Sequence, residues 1–122
     1  MTGRAALLNY ADDVLDGRIA LGPRAARIAA LLARMAFEDW LDEQNASWAA
    51  TSEKPPTMIS KLVVLSSFRG PDVGEQARRV WYSLSRAVHH HAYELQPSLT
   101  EVRHLVAQTR SLTEANSVAA MV

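Results

Sequence analysis

Apolar residues recur three and four positions apart over most of this chain, and no segment alternates convincingly between apolar and polar side chains. A repeat of three and four places apolar side chains on one side of an α-helix, whereas a half-buried strand needs a repeat of two. The sequence therefore predicts an all-α protein. Because the segments between breaks are joined by short connections, we expect an antiparallel bundle of four to five helices.

Glycine, proline and capping residues mark where the predicted helices begin and end. The double proline at Pro55 and Pro56 cannot continue a helix, so residues 47–56 are the clearest predicted loop. Asp72 and Ser98 are each followed by a glutamate three positions later, which predicts a capped helix start at both. The predicted helices span about residues 5–15, 23–45, 57–68, 72–95 and 98–111.

The composition is typical of one soluble domain. A chain of 122 residues with 48% apolar and 21% charged side chains builds one core and is too short for two. We expect residues 1–111 to form this domain and residues 112–122 to be a flexible tail. The sequence has no cysteine, no apolar run long enough for a membrane span and no signal-peptide pattern near residue 1, so we expect a cytoplasmic protein.

The second predicted helix is apolar over more than one side. Such a helix is buried from two sides, or buried on one side and paired with another chain on the other. Because the second and fourth helices carry more apolar surface than one small bundle needs, we predict a homodimer. The acidic residues of the second helix are either solvated or, in the case of Glu38, paired with a buried arginine or histidine elsewhere. Its charges are Arg24, Arg27 and Arg34 in the first half, and Glu38, Asp39, Asp42 and Glu43 in the second half.

The segment between Trp81 and Leu95 collects groups that bind phosphate and move a proton. The planar guanidinium of Arg86 suits a phosphate, and a histidine accepts and returns protons near neutral pH. An arginine and a histidine together suffice for metal-free RNA cleavage, in which the 2′-hydroxyl attacks the adjacent phosphorus. DNA lacks that hydroxyl. The candidate residues are Arg86, His89, His90, His91, Tyr93 and Glu94.

His91 falls in register with the apolar stripe of the fourth helix, so two interpretations stay open for it. It is either a buried histidine that a neighbour such as Glu38 satisfies, or a catalytic base. Helical spacing puts Arg86 and His90 on one face, with Tyr93 a turn further along, and turns His91 away from Arg86. A joint action of Arg86 and His91 therefore needs a distorted helix or a second subunit.

The other candidates also have structural alternatives. Arg86 serves either in a salt bridge or as a phosphate contact. Tyr93 is either an amphipathic residue at the bundle edge or a functional one, and His89 and His90 either face solvent or form a basic rim for RNA. Three consecutive histidines on a helix point in three directions, so we predict no metal site and no cofactor.

The order of arginine, four residues, histidine, one residue and tyrosine at Arg86, His91 and Tyr93 resembles the motif of the HEPN domain family (higher eukaryotes and prokaryotes nucleotide-binding). The likeness is greatest to HEPN toxins that are paired with minimal nucleotidyltransferases. It covers about residues 23–111 and includes the helical length and the position of the motif late in the fourth helix.

This resemblance implies a helical homodimer in which two copies of the motif meet in a cleft and cut RNA without metal. Arg86 would bind the scissile phosphate, and His91 would be the general base or acid. Tyr93 would correspond to the tyrosine that a nucleotidyltransferase-type antitoxin modifies in paired systems. Active members usually place a polar residue directly after the arginine, whereas this chain has Ala87. The alternative function is therefore a non-catalytic HEPN-like dimeric module that binds a partner protein or a nucleotide.

Overall fold

The computed structural model describes residues 3–51, 53–89 and 96–116, and in these ranges it confirms an all-α bundle without strands. A short 3-10 turn at Gly22–Arg24 leads into the second helix. No helix in the described ranges is long and apolar enough to cross a membrane. The helices are α1 Gly3–Leu15, α2 Ala25–Gln44, α3 Ala46–Thr51, α4 Met58–Arg69, α5 Pro71–Val88 and α6 Leu99–Ala115.

Helix α2 is the centre of the bundle and packs against α1, α4, α5 and α6. Phe37, Trp40 and Leu41 fill the core along its second half. The rest of its buried side is alanine, which lets neighbouring helices approach closely because alanine projects only a methyl group. The larger Leu31 and Met35 instead remain exposed on the outer side. The buried alanines are Ala26, Ala29, Ala30, Ala33 and Ala36.

Ion pairs between helix ends show how the helices run. Arg4 at the start of α1 pairs with Asp39 and Glu43 near the end of α2, so these two helices are antiparallel. Arg110 in the second half of α6 pairs with Asp12 at 2.9 Å, and Arg103, nearer the start of α6, pairs with Asp16 just past α1 at 2.6 Å. Helix α6 therefore runs antiparallel to α1 and in the same direction as α2.

The helix starts confirm one predicted cap and correct another. The Ser98 hydroxyl accepts a hydrogen bond from the Glu101 N–H at 3.0 Å, as predicted for α6. The predicted cap at Asp72 is wrong, because α5 already begins at Pro71 and Gly70 occupies the N-cap without a side-chain hydrogen bond. Gly70 has φ +96°, a conformation that favours glycine, and proline is well suited to the first turn.

Two segments are more helical than the sequence suggested. Residues at the start of the predicted loop form the short α3, and α6 continues past the predicted end at Ser111. Leu112 is buried there, in step with the rest of the α6 stripe. At the end of α6 the Asn116 carbonyl accepts hydrogen bonds from Trp40 Nε1, Gln44 Nε2 and Arg69 Nη2 at 2.9–3.2 Å. The remainder of the predicted tail lies outside the described residues.

Helices α4 and α5 approach closely at Gly74, which predicts a steric effect of substitution. A Cβ added to Gly74 would lie 1.7 Å from Ser66 Oγ and 3.0 Å from Ser66 Cα. Rotation of the serine relieves the first contact but not the second, so Gly74→Val is expected to lower the free energy of unfolding by about 1–3 kcal/mol. Urea unfolding monitored by circular dichroism measures this change.

The matched control for this substitution is Gly3→Val at the start of α1, where an added Cβ meets nothing within 4 Å. Its effect on unfolding is expected to stay within about 0.5 kcal/mol. Equal stability of the Gly74 and Gly3 variants would contradict a tight crossing of α4 and α5.

Candidate functional site

Helix α5 confirms the predicted apolar stripe only as far as Val88, where the helix ends, and not to the predicted end at Leu95. Val80, Leu84, Ala87 and Val88 are all buried. His89 follows as the C-cap residue, and its backbone N–H donates to the Ser85 carbonyl at 2.9 Å. The predicted site residues His90, His91 and Tyr93 lie outside the described residues, so the role of each stays a prediction.

Arg86 lies in the last turn of α5 with its side chain exposed. Within the three described ranges it makes neither a hydrogen bond nor an ion pair. It lines a groove of about 420 Å³ between the end of α5 and the start of α6. The positive end of the α6 dipole favours an anion here, whereas the Glu101 carboxylate on the same groove opposes it. The other lining residues are Ser83, Ala87, Gln96, Pro97, Ser98 and Glu101.

Arg34 of α2 is the centre of a second polar cluster beside the end of α5. Its Nη1 lies 2.7 Å from Nε2 of His89, and its Nε donates to Glu38 Oε1 at 3.0 Å. Its guanidinium carbon lies 4.5 Å from the ring centre of Trp81, which stacks on Phe37. Because a guanidinium only donates, His89 must accept through Nε2, which places the proton of the neutral ring on Nδ1.

Two predicted residues therefore meet through an arginine that the sequence did not single out as functional. Glu38 pairs with Arg34 of its own helix, one turn earlier, and no group from another helix joins this pair among the described residues. His89 is exposed, and it is also bound to Arg34. The spacing of Arg34 and Glu38 was a visible signal of their pairing. The contact with His89 spans 55 positions and left no local signal.

A second arginine of α2 holds the last turn of α5. Arg27 Nε donates to the Val88 carbonyl at 2.8 Å. The last carbonyl groups of a helix have no partner within it, so this bond satisfies one of them. Arg27 and Arg34 together fix the position of Val88 and His89 at the end of α5.

A larger groove, of about 730 Å³, lies elsewhere on α5. Its arginines are already paired, because Glu75 accepts hydrogen bonds from both Arg78 and Arg79. These bonds, with that from Arg78 the larger cause, lower the pKa of Glu75 to about 2. Its carboxylate therefore stays ionised at neutral pH and offsets the two cations. The smaller groove at Arg86 is the better candidate for binding a phosphate.

The described residues include no group of three or more histidine, cysteine, aspartate or glutamate side chains placed to hold a metal ion. Comparisons of the chain with protein-family models, curated proteins and solved structures found no match. The fold thus defines the class as an all-α helical bundle, and membership of the HEPN family stays a prediction.

Proposed function

We propose that this chain is a HEPN-like protein that acts on RNA as a metal-independent endoribonuclease of a toxin or defence system. Arg86 binds the scissile phosphate and His91 moves the proton. The observation that carries this proposal is the position of Arg86, which is exposed, without a counter-ion among the described residues, and three residues before the histidine run.

The proposed reaction uses the neighbouring hydroxyl of the RNA as its nucleophile. The base removes the 2′-hydroxyl proton, and the 2′-oxygen forms a bond to phosphorus while the bond from phosphorus to the 5′-oxygen breaks. The 5′-oxygen leaves with a proton from the acid, so the products are a 2′,3′-cyclic phosphate and a 5′-hydroxyl. Arg86 donates hydrogen bonds to the non-bridging oxygens, where negative charge accumulates. His89 and His90 supply a rim for the RNA strand.

The second candidate function is a non-catalytic HEPN-like dimeric module that binds a partner protein or a nucleotide. Ala87 favours it, because active family members usually place a polar residue at this position. Here the residue is 7% exposed and contributes only a methyl group beside Arg86. The engagement of His89 by Arg34 also favours it, since that imidazole Nε2 is already occupied. If the chain is instead the ribonuclease, a partner of the nucleotidyltransferase-antitoxin kind would act on Tyr93 and silence it.

Cleavage of a mixed RNA by the purified chain in EDTA tests the proposal directly. We expect fragments that end in a 2′,3′-cyclic phosphate, identified by mass spectrometry, and no cleavage by His91→Ala. DNA of the same sequence is the matched control and should remain intact, because it lacks the attacking hydroxyl. A folded protein that leaves a wide range of RNAs uncut would favour the binding module.

A further inference from the structure

The outer side of α2 is an apolar seam that no described residue covers. This helix buries its alanines and exposes Leu31 and Met35, which are 39% and 46% exposed. This arrangement, with alanines inside and larger apolar side chains outside, is unusual for the central helix of a bundle. Larger apolar side chains gain more free energy from burial. The outer residues follow one another at intervals of four and three, the spacing of a helix-pairing seam. They are Arg24, Ile28, Leu31, Met35, Glu38 and Asp42.

The charges on this seam are arranged in a way that identifies its occupant. Arg24 and Arg27 precede the apolar centre, and Glu38 and Asp42 follow it. A parallel copy of the same helix would place like charges opposite each other, whereas an antiparallel copy places each cation opposite an anion. The seam is therefore complementary to itself in the antiparallel direction.

We propose that two copies of the chain pair through their α2 seams, antiparallel about a two-fold axis level with Ala33. Leu31 and Met35 lie two positions on either side of Ala33, so Leu31 packs against the partner's Met35. Arg24 and Asp42 lie nine positions on either side, so Arg24 meets the partner's Asp42. The symmetry makes every contact occur twice.

The third contact follows from the angular positions of residues around the helix. Arg27 and Glu38 lie on the same flank of the seam, so Arg27 meets the partner's Glu38. Arg27 uses Nε to bind the Val88 carbonyl, and no bond from its two terminal nitrogens is described. The Glu38 side chain is 40% exposed although it pairs with Arg34, and that of Asp42 is 60% exposed although it pairs with Lys61. Both carboxylates thus retain room for a second cation.

A recess beside the seam is large enough to receive a side chain of the partner helix. A groove of about 450 Å³ lies beside the first half of α2. An antiparallel partner helix brings its Met35 to this level, and an exposed unbranched side chain fills an irregular recess well. The groove is lined by Arg24, Arg27, Ile28, Leu31, Val88 and Gln96.

This pairing determines where the two α5 ends lie. In each copy α5 flanks α2 on the side of Arg34 and His89, and α1 flanks the other side through Arg4 and Asp39. A two-fold axis that lies between the helices and perpendicular to them keeps each flank on its own side of the dimer. Both α5 ends therefore face the same side, near the axis. The pairing is argued from α2 and the groove beside it, and it stands whether or not the chain cuts RNA.

Charge exchange between two variants tests the antiparallel register. Arg24→Glu and Asp42→Lys each place like charges opposite each other, so each alone should weaken self-association at least 10-fold in sedimentation equilibrium. An equimolar mixture restores both attractive contacts and should form a heterodimer, and the double variant should dimerise with itself. Both substitutions are at exposed sites, and circular dichroism verifies that the variants fold.

Substitutions at the apolar centre and on another helix separate this seam from other surfaces. Met35→Glu should dissociate the dimer. Ile59→Glu on α4, where the native side chain is 69% exposed, is the matched control and should leave the dimer intact. A wild-type chain that stays monomeric at about 100 μM would overturn the proposal, as would dissociation by Ile59→Glu alone or failure of the charge-exchanged mixture to associate.

Discussion

Arg86→Ala is expected to slow RNA cleavage about 100-fold or more, the usual cost of losing one hydrogen-bond donor to a charge that develops in the transition state. The fold should not change, because Arg86 is exposed and bonded to no described residue. Arg86→Lys should retain part of the activity, since lysine keeps the charge but not the planar pair of donors. Single-turnover cleavage of a defined RNA measures each rate.

Arg79→Ala is the matched control for loss of positive charge. Arg79 lies on the same helix with a side chain 76% exposed, and its ion pair with Glu75 already occupies it. Its removal should change cleavage only slightly. Equal losses in the Arg79 and Arg86 variants would indicate general electrostatic attraction of RNA and would contradict a specific phosphate contact at Arg86.

Trp40→Ala is expected to lower the free energy of unfolding by about 3–5 kcal/mol, the range for truncating a large buried aromatic side chain. Trp40 is fully buried, its ring centre lies 5.8 Å from that of Phe37, and its Nε1 donates to the Asn116 carbonyl. Since domains of this size are stable by only about 5–15 kcal/mol, this loss removes a large share of the free energy of unfolding. Urea denaturation gives the difference.

The control for this truncation is Trp48→Ala in α3, where the native indole is only partly buried. Its cost should be no more than about 1 kcal/mol. Trp40→Phe keeps most of the apolar contact but loses the hydrogen bond. We expect this loss to lower the free energy of unfolding by about 1 kcal/mol, with an additional cost from the space left behind. A Trp40→Ala variant as stable as Trp48→Ala would show that the α2–α6 contact is not central to the core.

The all-α class and the stripe of α5 were predictable because both depend on periodicity alone. The cap at Ser98 was predictable because a capping hydrogen bond joins residues three positions apart. The predicted Asp72 cap was wrong because Gly70 and Pro71 start the helix earlier. The spacing of Asp72 and Glu75 does not show which of two neighbouring start signals the helix uses. The extension of α6 carried a signal in Leu112, which continues the stripe beyond Ser111.

The site was less predictable for a different physical reason. Arg86 was identified by residue type alone, and its exposure agrees with a guanidinium that no described residue binds. The placement of His89 against Arg34 depends on how α2 packs against α5, and no local pattern encodes that packing. The same limit applies to the outer side of α2, since the sequence showed too much apolar surface but not that alanines face the core. Only the fold shows that Leu31 and Met35 are the residues left outside.

The position of α6 has a consequence for the rate at which this fold forms. Its contacts with α1 join residues as far apart as Asn9 and Arg110, separated by 101 positions. Closing so long a loop costs conformational entropy, and the contacts that offset this cost form only afterwards. Topologies with such non-local contacts fold more slowly than chains of adjacent hairpins. The α1–α2 hairpin joins segments that are close in sequence, so we expect it to form before α6 docks, with its apolar side open until then. We expect the chain to be most prone to aggregation during that interval.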